Sequence, residues 1–67
     1  ALSRLSQRER QVFREMALGF TPMEISKKLG ISHKTVETHR SNLLKKLALN
    51  RTTDLVRLAI REGLIDP

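Results

Sequence analysis

TPMEISKKLGISHKTVETHRSNLLKKL, residues 21–47, is the stretch from which the rest of this chain is read. Thr21 is placed to cap a helix, and Pro22 takes the first helical position, where its missing N–H costs nothing. Glu24 stands three residues after Thr21, so hydroxyl and carboxylate can each satisfy an orphan amide, as in a capping box. Ile25 and Leu29 are four apart and face a core, with Met23 at its rim. Gly30 stops this short helix, and Ser32 caps a longer one predicted from about His33 to Leu47. At about 100° per residue, Val36, Leu43 and Leu47 fall in one narrow arc with Leu44 beside it. Lys34, Thr38, Ser41 and Lys45 fall on the opposite side, flanked by Glu37 and Asn42.

The same grammar extends outward from this stretch. Upstream, Ser6 and Glu9 form a second capping box, and Val12, Phe13, Met16 and Ala17 recur at helical spacing. Arg8, Arg10, Arg14 and Glu15 are expected to point away from that stripe. A first helix is predicted over roughly Gln7–Leu18, stopped by Gly19 as a left-handed cap. Residues 1–5 read as the end of a linker, with Leu2 and Leu5 able to tuck onto the core. Downstream, Asn50 to Thr53 is a turn, and Thr52 or Thr53 is expected to cap a fourth helix over about 52–62 that Asp54 favours through its early charge. Leu55, Val56, Leu58, Ala59 and Ile60 make that helix apolar around more than one face, which calls for burial or a partner. Gly63 ends it, and Leu64 and Ile65 fold back or pack on a neighbour. No stretch alternates as a strand does, so the fold class is all-α, a bundle of four helices in a single domain spanning 1–67.

Sixty-seven residues with no cysteine leave neither disulfides nor thiolate metal sites to staple a small core. The aromatics are Phe13 and Phe20 alone, too few for a platform that stacks single-stranded bases. No apolar run approaches a membrane span, and no signal peptide is recognisable. The chain opens on Ala1 rather than Met, as a fragment or processed piece would. Carboxylates are few and scattered. His33 and His39 are six apart, the wrong spacing to share a metal on one helical face. Gly19, Gly30 and Gly63 are each explained as helix stops, so no phosphate-cradling loop is present. Catalysis, metal and cofactor are therefore not expected.

Thirteen Lys and Arg against seven Asp and Glu give a net charge of +6. The excess lies in the front and middle: +2 over residues 1–20, +1 over 21–31, +3 over 32–50 and zero over 51–67. A short helix, a Gly-containing three-residue turn and a net-positive second helix form the outline of a helix-turn-helix, whose second helix lies in the major groove of duplex DNA. The plain alternative is an amphipathic helix with an idle solvated face. On the DNA reading, Lys34, Glu37, Thr38, Ser41, Asn42 and Lys45 approach the groove. Spacing leaves open which touch bases and which touch phosphates: the short Thr, Ser and Asn suit base edges, and Lys suits phosphates and guanine.

Together these residues resemble the LuxR-type helix-turn-helix family, the C-terminal effector module of FixJ- and NarL-like response regulators and of quorum-sensing receptors. The resemblance spans nearly the whole chain. It rests on Leu5-Ser6-x-Arg8-Glu9, Ala17-x-Gly19, Glu24-Ile25, Leu29-Gly30-Ile31-Ser32, Lys34-Thr35-Val36-x-x-His39, Lys46-Leu47 and Ala59-Ile60-x-x-Gly63-Leu64-Ile65. It implies a sequence-specific transcription factor of the bacterial cytoplasm that binds DNA as a homodimer. Base contacts would come from Glu37, Thr38 and Ser41, and backbone contacts from Lys34, Thr35, His39 and Lys45. Dimer contacts would come from the fourth helix, with Leu55, Val56, Ala59 and Ile60 divided between core and interface. Arg51 stands one residue earlier than the family's arginine, with Thr52 in its usual place, and Ser26 stands where alanine is commoner. The Arg61–Ile65 ending and the absence of Trp in the first helix resemble the response-regulator branch, which implies an upstream receiver domain. The alternatives are a quorum-sensing-type factor, a promoter-reading sigma-factor helix-turn-helix and, from another class, a helical protein-interaction module.

Overall fold

The computed structural model describes residues 2–66, and of Thr52 the backbone alone; the first residue of the expected linker end, Ala1, lies outside the described residues. A single 3-10 turn, Leu2–Arg4, precedes helices α1 (Gln7–Ala17), α2 (Pro22–Leu29), α3 (His33–Leu47) and α4 (Thr52–Arg61), with no strand among the described residues. This is the all-α, four-helix arrangement expected, with the predicted starts of α1, α2 and α3 in place. The segment read as a linker end instead coils once, and it buries Leu2 and Leu5 in the core.

Both capping boxes form as read. Ser6 N–H donates to Glu9 Oε1 at 2.9 Å while Glu9 N–H donates to Ser6 Oγ at 3.1 Å. The Thr21–Glu24 pair repeats this at 2.8 and 3.2 Å. At α3, Ser32 Oγ accepts from Thr35 N–H at 3.0 Å, and the two hydroxyls share a further hydrogen bond of 2.8 Å. At α4 the expectation fails. Arg51 is the cap residue and makes no side-chain capping bond, because Thr52 and Thr53 are already helical. Asp54 in the first turn remains to oppose the helix dipole.

All four helices close the same way. The amide directly after each positive-φ residue reaches back five residues: Phe20 to Glu15, Ile31 to Ser26, Leu49 to Leu44 and Leu64 to Ala59, at 2.9–3.1 Å. This Schellman closure puts one residue in the left-handed region. At three ends that residue is glycine; at the end of α3 it is Ala48, with φ 55°. A Cβ in that region costs about 1–2 kcal/mol, partly offset by the extra entropy glycine loses on folding. Ala48→Gly should therefore stabilise the protein by roughly 0.5–1 kcal/mol, raising its melting temperature by about 2–8 °C in thermal denaturation. An unchanged or lowered midpoint would mean that Ala48 bears no strain.

The core is one cluster: Val12, Phe13, Ile25, Val36, Leu43, Leu55 and Ala59 have no accessible surface, with Leu2, Leu5, Met16 and Ala17 nearly enclosed. α1 is the hub, packing on α3 and α4 and touching α2, while α2 packs chiefly on α3. Leu64 and Ile65 fold back against this core. The result holds α3 by one side and leaves its other side to solvent.

Candidate nucleic-acid interface

α3 is gripped through Val36 and Leu43, both fully buried, with Leu44 and Leu47 half-buried beside them. Lys34, Thr35, Glu37, Thr38, Ser41, Asn42 and Lys45 are all exposed, and His39 is half-buried on the flank. The seven exposed residues of the expected set thus share the open side of one helix, and His39 stands at its edge. Two hydroxyls are already engaged locally. Thr35 is tied to the Ser32 cap, and Thr38 Oγ1 donates to Lys34 O at 3.1 Å. Thr38 therefore presents acceptor lone pairs and a methyl group outward, rather than a free donor.

One ion pair holds this helix to its frame in a way that the apolar periodicity does not reveal. Lys46 donates to Glu9 Oε1 at 2.8 Å, joining the end of α3 to the start of α1. Glu9 is 4% exposed. Its carboxyl is held below the ordinary glutamate value of 4.5, first by the Lys46 hydrogen bond and next by the Ser6 amide, against the opposing effect of burial. The exposed Glu24 carboxyl is lowered as well, chiefly by the Thr21 amide.

Glu15, expected to point away from the core, is instead buried at 7% exposure. α2 covers that flank of α1, and the carboxylate is matched there by cations. Arg14 Nη1 hydrogen-bonds Glu15 Oε2 at 3.1 Å. Lys28 Nζ lies 2.6 Å from Oε1, a second ion pair to the same carboxylate. Lys28 also sits over the Phe20 ring, 3.7 Å from its centre. One lysine on α2 thus engages both α1 and the loop that follows it, fixing how the α2–α3 pair sits on the hub.

Because the folded Glu9 carboxyl is the stronger acid, its ionised form adds stability above its unfolded value near 4.5, and that contribution is lost as pH falls through the lower folded value. The urea midpoint of the protein should exceed that of Glu9→Gln at about pH 7, and the gap should narrow at about pH 3. A gap independent of pH would deny the ion pair a role. Glu24 is present in both proteins and cancels from the comparison.

The expectation for α4 is corrected at two positions. Leu55 and Ala59 have no accessible surface within one protomer, so neither can be offered to a partner. They are core because α1 packs directly on that side of α4. Val56 and Ile60 keep partial exposure on a neighbouring side.

Among the described residues no group of three His, Cys, Asp or Glu is arranged to hold a metal, and no helix is long and apolar enough to cross a membrane. A short proline-led helix, a tight turn and a second helix held by one face define a helix-turn-helix protein. The family described as "Bacterial regulatory proteins, luxR family" matches residues 3–59, and the chain belongs to it. It is a DNA-binding domain of transcription regulation, of the kind found in response regulators, and such domains are not generally enzymatic.

The chain is 45% identical over 60 residues to the transcriptional regulatory protein TdiR of Thauera aromatica, covering 90% of this chain and 26% of TdiR. It is 39% identical over 62 residues to the oxygen regulatory protein NreC of Staphylococcus carnosus, covering 92% of this chain and 29% of that relative. The crystal structure of full-length FixJ from B. japonicum superposes with a TM-score of 0.85 at 37% identity, over 97% of this chain and 32% of FixJ. The chain thus spans roughly a quarter to a third of each of these three proteins.

Proposed function

We propose that residues 1–67 act as a single DNA-reading domain that lays α3 in the major groove, with Lys34, Thr35, Glu37, Thr38, His39, Ser41, Asn42 and Lys45 as its contact set. The observation that carries this reading is the division of α3 into one fully buried side and one continuous polar side. From Lys34 to Lys45 that side runs about 16 Å, longer than the roughly 12 Å width of the groove. The two lysines therefore suit the phosphates at its edges, and Glu37, Thr38 and Ser41 suit the base edges between. The domain works as a homodimer on two half-sites, with Val56 and Ile60 of α4 meeting their counterparts. It serves as the output domain of a cytoplasmic response regulator governed by an upstream receiver domain, with no catalytic role and no cofactor. The similarity to TdiR, NreC and FixJ supports this branch.

The test is titration of a duplex selected by this domain from random-sequence DNA, repeated across ionic strengths. Two neutralised phosphates per protomer give a slope of log affinity against log salt of about −2 or steeper. Ile60→Glu should abolish cooperative filling of two half-sites while leaving single half-site binding intact. A flat salt response removes the DNA reading, and unchanged cooperativity in Ile60→Glu removes α4 from the dimer contact.

A further inference from the structure

A groove of about 470 Å³ runs between the 3-10 turn, the C-terminal end of α3 and one flank of α4. Its rim carries Arg4, Lys46, Arg57 and Arg61, all exposed, against a single acid, Asp54. Lys46 is committed to Glu9, but Arg4, Arg57 and Arg61 form no ion pair among the described residues. The floor is apolar: Leu47, Leu49 and Leu58 line it and are half-buried, each keeping surface open to the groove. The volume is in the range of sites that take a few side chains.

We infer that this groove docks an acidic segment of another protein, one that sets leucine-like side chains on the floor while its carboxylates meet the arginines. The arginines select negative charge, and the leucines select against a nucleic-acid backbone, which has no aliphatic group to place there. A second copy of this chain is a poor occupant: each copy carries +6, and Glu9 and Glu15 are buried in internal pairs. The apolar floor lies apart from the proposed dimer contact: at about 100° per residue, Leu58 is on the far side of α4 from Ile60.

The experiment titrates the intact domain with two synthetic helical peptides of equal charge, one of glutamates interrupted by leucines one turn apart, the other with serines in their place. Amide resonances of the domain are followed by NMR, with duplex affinity measured separately. The leucine peptide should bind saturably, shifting Leu47, Leu49 and Leu58, and the serine peptide should bind roughly tenfold more weakly. Arg57→Glu combined with Arg61→Glu should weaken the leucine peptide by about tenfold or more and leave duplex affinity within about twofold. Arg4→Glu, on a separate element, should act alike if the double variant proves unfolded by circular dichroism. Equal binding of the two peptides, no binding, shifts confined to other surfaces, or loss of duplex affinity in the arginine variants would each overturn the proposal. The last outcome would mark the groove as a phosphate surface. Absence of duplex binding by the unaltered domain would count against the DNA reading while leaving the peptide result to stand.

Discussion

Phe13→Ala should leave a large fraction of the protein unfolded at ambient temperature. Phe13 has no accessible surface and sits in α1, the helix that touches all the others. Truncating a buried phenylalanine costs about 3–5 kcal/mol, counting both the lost transfer energy and the cavity left behind. At 67 residues, the whole fold is stable by only roughly 3–10 kcal/mol. No disulfide is present to hold a damaged core together. Urea denaturation followed by circular dichroism should show either a collapsed midpoint or no folded baseline. Selected duplex at about a hundredfold excess over its dissociation constant should return about 2.7 kcal/mol through mass action, and with it much of the helicity. A shift under about 1 kcal/mol would mean that the core closes around the gap and that α1 is not the hub described.

Thr38→Ala and Lys45→Ala should weaken DNA binding in two different ways. Thr38 is exposed at the middle of the α3 face, with its hydroxyl hydrogen already given to Lys34 O. What remains is an acceptor, suited to the amino group of adenine or cytosine, and a methyl group, suited to that of thymine. Its loss should change preference at one base position by about 1–3 kcal/mol, which is about 5- to 150-fold, and leave the salt slope unaltered. Lys45, at the end of the same face, should act on all sequences nearly alike and make the slope shallower by about one unit. Competition binding with a panel of single-base variants at several ionic strengths separates the two. If both substitutions produce the same pattern, the division of this face into base-reading and phosphate-holding parts is wrong.

Much of this architecture is legible in the letters because its signals are local. A capping box needs only Ser6 with Glu9 or Thr21 with Glu24, and a glycine stop needs only the residue after the last turn. The open and closed sides of α3 follow from 3.6-residue periodicity, since a single helix has one apolar arc to bury. Even the burial of Glu9 was within reach: it lies three, four and seven residues before Val12, Phe13 and Met16, on their own stripe. The exposed set on α3 therefore needed no tertiary information.

Other features arise only where two elements meet. Glu15 lies off the main apolar stripe, and its burial comes from α2 closing over it with Lys28, which periodicity within α1 does not encode. α4 is apolar on more than one side, and only the placement of α1 decides that Leu55 and Ala59 are core while Val56 and Ile60 stay partly exposed. Ala48 lacks the glycine that marks the other three stops, yet the chain must turn back there to bring α4 onto the hub, so packing imposes a left-handed residue on an alanine. The groove bounded by Arg4, Arg57 and Arg61 gathers residues from opposite ends of the chain. Periodicity thus dictated which faces this protein has, and the long-range packing of α1 decided which of them remain free to act.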